Sequence, residues 1–380
     1  MVAGGHDPAQ DLTNRAFSGS ARRVEVATVG LHPVLRRLLF ALIGLAPLTI
    51  ALHYLANLGA VAEFALAAAA LVPLAWLIGE ATEHTAEHTG PGIGGFLNAT
   101  FGNAPELIIA LFAVHEGLTE VVRGSLTGSV VGNLLLVLGF SLVAGGRGEV
   151  DRWSSFVSFG VLGLATVLFL VPAVPSWDGD PDRDLIVDLS VPVSIALLVV
   201  YLAITWYALR RHSRLHVASD EEIAGWSLKL AIAVLAAATV LTAFVAEILV
   251  GTLEEFADKL GLTEFFVAAV IVAIVGNAAE HGGAVVVAYR GKITLAAEIA
   301  LSSAAQVAVF LVPAVALLSW LIDPLALGFR VVEIAALAGA LVLTAAVLWG
   351  GRSSRLRGTL LVVGYVAIAV AFFVAGERGA

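Results

Sequence analysis

The chain has 380 residues, 59% of them hydrophobic and 13% charged, where soluble domains carry about 25% charged residues. Its net charge is −9 with no basic stripe, which argues against nucleic-acid binding. It contains no cysteine, which excludes disulfides, thiolate metal sites and cysteine nucleophiles.

In chain order, residues 1–35 come first. They are polar, carry Arg15, Arg22 and Arg23, and lack the apolar core of a signal sequence, so a disordered cytoplasmic tail is expected. Eleven apolar runs follow, at roughly 36–57, 61–82, 92–115, 119–144, 153–174, 187–209, 225–250, 263–288, 293–320, 328–349 and 356–375. Each is about long enough to cross a bilayer core of ~30 Å. Turn residues separate several of them, as at Gly90-Pro91-Gly92 and Gly145-Gly146-Arg147. The expected fold is therefore an all-α polytopic membrane protein with 11 transmembrane helices.

With the N-terminus inside, the inside segments hold Arg36, Arg37, Arg147, Arg152, Arg210, Arg211, Lys229, Arg290, Lys292, Arg352, Arg355 and Arg357, among others. The outside segments hold only Arg123, Arg183, Lys259, Arg330 and Arg378. That asymmetry predicts a cytoplasmic N-terminus and an external C-terminus; the expected location is a prokaryotic inner membrane. The acidic stretch Trp177–Asp184 reads as a solvated outside loop.

Gly102-Asn103-Ala104-Pro105-Glu106 lies in the third run, and Gly276-Asn277-Ala278-Ala279-Glu280 in the eighth. The offset is 174 residues (276 − 102), and it also places Gly128 on Ser302, Ser129 on Ser303 and Gly132 on Gln306. The first run, 36–57, stands outside this repeat. It leaves five spans in 61–209 and five in 225–375, joined by a cytoplasmic linker at 210–224. Units with an odd number of spans enter the membrane from opposite sides, so the repeat is expected to be inverted, as in many secondary transporters.

An ionisable group at membrane depth is costly and marks a functional candidate. Glu106 and Glu280 supply charge, and Asn103 and Asn277 supply side-chain oxygens. Gly102 and Gly276 permit close backbone approach. Pro105 removes a backbone donor and breaks the helix, freeing carbonyls. A hard dication such as Ca²⁺ needs several oxygen ligands, charged ones included. Without it, the two carboxylates would be like charges in a low dielectric, a situation that protons relieve. One pair can thus exchange a dication for protons. Small residues in such motifs are also what helix-packing seams use.

The paired motif resembles that of the cation/proton exchangers (the CAX type) of the calcium/cation antiporter superfamily. The similarity runs through Leu97–Ile108, Gly128-Ser129, Asn133-Leu134-Leu135 and Val275–His281, and extends over nearly everything after the first span. It implies that Glu106 and Glu280 bind the cation, supported by Asn103, Asn277 and backbone carbonyls. It also implies a proton pathway through Glu83 in span 2 and Glu247 in span 7, and places His281 in the family pattern. Ser129, Ser303, Gln306 and Asn133 are supporting polar candidates, for coordination or for bonds between helices. The chain departs from the family at Arg123, where Gln is usual, at Ser302 and Ala304, and in a linker acidic only at Asp220-Glu221-Glu222.

The expected function is a secondary active antiporter, not an enzyme. It exports Ca²⁺ in exchange for H⁺ by alternating access, with no cofactor, and spans 1, 6 and 11 lie at the periphery. Its partners are Ca²⁺, H⁺ and the lipid bilayer, with homo-oligomers possible. The alternative is a Na⁺-coupled cation/Ca²⁺ exchanger, which the family comparison disfavours because those proteins carry Ser or Thr near the glutamates. A passive channel is a rival of a different class. So is a metalloenzyme built on His84-Thr85-Ala86-Glu87-His88, which matches H-x-x-E-H but sits at a helix end.

Overall fold

The computed structural model describes residues 33–56, 58–177, 182–212 and 225–376. The expected tail up to residue 32 and residues 213–224 of the expected linker lie outside the described residues. Apolar runs with no water to bond must close their backbone hydrogen bonds internally, and they do so as helices. Among the described residues, nine helices are long and apolar enough to cross a membrane. A tenth is added if Leu253–Leu260 and Glu264–Gly276, bent by 109°, count as one span.

The first run divides into α1 (Pro33–Leu42) and α2 (Leu45–Leu55) at a turn through Ile43-Gly44. α3 (Ala60–Gly102) is helical over 43 residues but is not one rod. A Cβ built on Gly94 would stand 2.8 Å from the Cβ of Ala86, whereas residues eight apart in a straight helix lie about 12 Å apart. The axis therefore folds back between them, where the sequence places the Gly90-Pro91-Gly92 turn. The second arm of α3 is followed by α4 (Ala104–His115).

Next come α5 (Thr119–Val131), a π-helical stretch at Gly132–Val137, and α6 (Leu138–Gly145). α7 (Arg152–Ala173) starts where the Asp151 side chain accepts from the Trp153 N–H, satisfying a donor with no helical partner. α8 is Arg183–His212. The second half begins with α9 (Leu228–Gly251) and the short amphipathic α10 (Leu253–Leu260), which Gly261 ends at φ 65°. After α11 (Glu264–Phe266), a π stretch at Val267–Val272 leads into α12 (Ala273–Gly276) and α13 (Ala278–Tyr289). α14 (Ile293–Gln306), a π stretch at Val307–Leu311 and α15 (Val312–Leu318) precede α16 (Val331–Leu348) and α17 (Arg355–Ala375). The π stretches after α5 and after α14 begin one residue from the 174-residue register. Thr344 Oγ1 donates to the Leu134 carbonyl in the first of them at 3.3 Å.

Burial ranks the spans. In its most apolar 18 residues, Thr119–Gly145 is 83% buried, while Arg36–Leu55 is 11% and Arg355–Ala375 22%. Runs 1 and 11 are thus peripheral, as expected. The sixth run was expected there too, but Arg152–Trp177 is barer than Arg183–Tyr207: α7 turns Trp153, Phe156 and Val167 outward.

Loops cross between the halves at both ends. At the end bearing Arg147, Arg290 and Arg352, β1 (Gly148–Glu149) pairs antiparallel with β2 (Arg352–Ser353). There Val150 N–H also donates to Gly351 O at 2.9 Å, and Ser353 Oγ to Gly146 O at 2.8 Å. At the opposite end, Trp177 Nε1 donates to Phe329 O (2.8 Å), Leu327 N–H to Ser190 Oγ (2.9 Å), and Arg183 pairs with Asp323 at 2.5 Å.

Candidate cation site

Both motifs break their helix at asparagine. Asn103 (φ −98°, ψ 13°) separates α3 from α4, and Asn277 (φ −84°, ψ 7°) separates α12 from α13. These values fall in the sparsely used bridge region. The sequence points to Pro105 as the breaker, yet the second copy has Ala279 there and breaks at the same place. The Gly-Asn pair is what both breaks share. Asn277 Nδ2 donates to the Ala273 carbonyl at 2.8 Å, which the Asn277 backbone N–H also reaches at 3.2 Å. A short polar side chain here competes with the backbone for its own helix. The break creates two helix starts, and Glu106 lies in the first turn of α4, where the macrodipole favours a carboxylate.

The two motifs meet. A Cβ built on Gly276 would stand 3.1 Å from Glu106 Cγ and 3.5 Å from its Oε1, so the absence of a side chain at Gly276 is what admits the carboxylate. Central helices of both halves complete the arrangement. Asn133 Nδ2 donates to Asn277 Oδ1 (3.2 Å) and to Ser303 Oγ (2.9 Å), and Asn277 Nδ2 donates to Ser129 Oγ (2.8 Å). Asn103, Glu106, Ser129, Asn133, Asn277 and Ser303 are all buried. Ser129, Asn133, Asn277 and Ser303 thus form one hydrogen-bonded polar pocket within an apolar bundle, which Glu106 adjoins at Gly276. Buried polar groups are retained at such cost when they are bonded or bind something. Asn277 Oδ1 has two lone pairs, of which Asn133 takes one.

The remaining expected residues are placed as follows. Gln306, at the end of α14, is half-buried. Gly102 is half-buried, and a Cβ there would meet no described atom within 4 Å, so the close approach expected of both glycines holds at Gly276 only. Glu280 and His281 belong to α13, but their side chains lie outside the described residues. Glu83 on the first arm of α3 and Glu247 on α9 are both exposed. Among the described residues, no three His, Asp or Glu side chains converge on a metal position. The H-x-x-E-H residues do not either: His84 Nδ1 lies 3.1 Å from Glu87 Oε2, while His88 Nδ1 turns to the His84 carbonyl at 3.0 Å.

A charged cluster at the end opposite the β1–β2 ladder escaped the sequence reading. Arg123 pairs closely with Glu120, and Arg330 Nε lies 3.5 Å from Glu333 and 3.9 Å from Glu120. Glu333 is fully buried and also accepts from the Arg330 backbone N–H at 2.5 Å. An acid in the apolar run Val331–Leu348 was the available signal; Arg330 is three residues away, but its other partner, Arg123 at 3.9 Å, lies 210 residues earlier.

The model of the family described as sodium/calcium exchanger protein matches residues 59–210 and 230–374, the two stretches on either side of the linker. A Ca(2+)/H(+) antiporter, ChaA, of Bacillus subtilis (strain 168) is 39% identical over 323 residues, covering 82% of this chain and 91% of that protein. A Ca(2+)/H(+) antiporter of Synechocystis sp. (strain ATCC 27184 / PCC 6803 / Kazusa) is 35% identical over 362 residues, covering 89% and 97%. Among solved structures, native YfkE superposes with a TM-score of 0.77 at 36% identity, over 88% of this chain and 99% of that one.

Proposed function

This chain belongs to the sodium/calcium exchanger protein family, and from that premise we propose that it is a secondary active antiporter exchanging Ca²⁺ for H⁺. The observation that carries the reading is the contact between Gly276 and the Glu106 carboxylate. It joins the two acidic motifs at one buried pocket instead of leaving them as separate packing features. The relatives named as Ca(2+)/H(+) antiporters support the choice of ions.

In this reading the chain crosses the membrane eleven times. The nine regular spans are joined by two broken ones, split at Asn103 and Asn277, and an extra first helix precedes two inverted five-helix units. The arginine-rich end faces the cytoplasm of a prokaryotic cell. Ca²⁺ takes about 6–8 oxygen ligands. Glu106 and Glu280 provide the charged ones; Asn103, Asn277 and the carbonyls freed at the helix breaks provide neutral ones. Ser129, Asn133 and Ser303 hold the Asn277 amide in place. Loaded with Ca²⁺, the pair of carboxylates is neutralised; empty, it takes protons, so the pocket crosses without a large net charge. Glu83 and Glu247 pass protons between water and the pocket. The site opens to each side in turn.

The test is radiocalcium uptake into proteoliposomes carrying an imposed pH gradient, with and without Na⁺. Uptake driven by the proton gradient alone is expected. Uptake that requires Na⁺ would establish a Na⁺-coupled exchanger, and flux indifferent to both gradients would establish a channel.

A further inference from the structure

One face of α14 carries Thr294, Glu298, Ser302 and Gln306, at intervals of four residues and so on one side of the helix. Thr294 and Ser302 are exposed, and Glu298 and Gln306 are half-buried, although the opposite face of the same helix, with Ala297, Ala300 and Ala304, is fully buried. The stripe spans about 18 Å at 1.5 Å per residue. One end touches the arginine-rich surface, where Thr294 Oγ1 donates to the Glu149 carbonyl at 2.8 Å. The other adjoins Ser303, which is bonded into the pocket through Asn133.

The same face in the other half is different. The 174-residue register places Glu298 on Gly124, Ser302 on Gly128 and Gln306 on Gly132. There the helices are shut against each other: a Cβ on Gly124 would meet Phe265 O at 2.9 Å, and one on Gly128 would meet Ala269 O at 2.1 Å. The first half closes this face at Gly124 and Gly128, though not at Gly132, where a Cβ would meet no described atom within 4 Å, while the other half leaves it open and lines it with a carboxylate, a hydroxyl and an amide. Such a stripe in contact with hydrocarbon would be costly, and ionisable residues at membrane depth face the bundle interior or a water-filled cavity. Glu298 has a like-charged neighbour in Asp151 at the surface end.

We propose that Glu298, with Ser302 one turn on, lines the water path from the arginine-rich end to the pocket, and that Glu298 captures the divalent cation there before it reaches Glu106. The path follows from exposure and register alone; the capture step rests on the antiporter reading. A carboxylate in a narrow low-dielectric channel raises the local cation concentration without itself being part of the exchange chemistry.

The absence of cysteine gives a direct test. Glu298→Cys, Ser302→Cys and, as a lipid-facing control, Val363→Cys on the exposed side of α17 are reacted with a charged, membrane-impermeant methanethiosulfonate in oriented vesicles. The first two are expected to label rapidly from the arginine-rich side and Val363→Cys slowly. Labelling of both at the control rate, or from the opposite side only, overturns the path, whether or not the protein transports Ca²⁺. For the capture step, Glu298→Gln is expected to raise the half-saturating Ca²⁺ concentration about three- to tenfold with the maximal rate kept, and Glu298→Asp to restore it. Wild-type saturation in Glu298→Gln, with the labelling pattern intact, overturns capture while leaving the path.

Discussion

The guanidinium of Arg330 lies 4.0 Å over the ring of Phe265, pinning the start of α16 to α11. Phe265 is also the residue whose carbonyl bears on Gly124. The charge cluster of Glu120, Arg123, Arg330 and Glu333 therefore sits directly over the closed glycine seam. Removing one member of a buried pair strands the other.

Glu333→Leu is accordingly expected to destabilise the protein by about 3–5 kcal/mol, read as a fall in the midpoint of thermal unfolding in detergent. A midpoint equal to that of the parent protein would mean that the cluster does not hold this seam.

The three glycines should answer differently to the same substitution. Gly128→Ala forces a methyl against the Ala269 carbonyl, a backbone atom that cannot swing away, and should cost at least about 1–3 kcal/mol. Gly276→Ala should leave the fold intact but push on Glu106, lowering transport severalfold. Gly102→Ala meets no described atom and should be tolerated. Unfolding midpoints and uptake rates measured side by side distinguish the three patterns, and equal effects at all three positions would contradict this geometry.

Glu106→Gln and Glu280→Gln should each reduce exchange to background in protein that still elutes as a single folded species. The amide keeps the size of the side chain but loses the charge that a dication requires. Near-normal radiocalcium transport by either variant would remove that residue from the ligand set.

Protons and Ca²⁺ should compete. Binding the dication requires both carboxylates ionised, and protons fill them as pH falls, so apparent Ca²⁺ affinity should decrease toward acid pH. The two carboxylates should titrate as a coupled pair. Glu83→Gln and Glu247→Gln should slow exchange more than they weaken equilibrium binding. Equilibrium binding across pH, alongside transport rates, checks both statements; an affinity flat with pH would separate the proton and cation routes.

Much of the scaffold is written locally. The fold-back between Ala86 and Gly94 follows from Gly-Pro-Gly, and the two helix breaks lie where Gly-Asn-Ala repeats. Pro105 looks like a sufficient cause of the first break, but the second copy breaks without a proline, and what the two breaks share is Gly-Asn-Ala. The Asn133–Asn277–Ser303 network could be nominated from polar residues in apolar runs, but its bonds join residues up to 170 positions apart. Periodicity carries no information about such pairings. Glu298 and Glu333 were visible as acids in apolar runs. Their opposite situations, one on an open face and one sealed beneath two arginines, depend on packing that no single segment encodes.

The ladder between β1 and β2 also has a bearing on how the protein is made. Gly146 and Ser353, bonded across it, are 207 residues apart, a stretch that takes about 10–40 s to synthesise at about 5–20 residues per second. For that interval the loop after α6 stands at the membrane surface without the strand it pairs with. Nascent chains shorter than about 350 residues should therefore expose the Gly146–Asp151 backbone to proteases, and completion of the last hairpin should protect it. The final two spans, peripheral though the last one is, act as the closing step of assembly for a loop translated long before them.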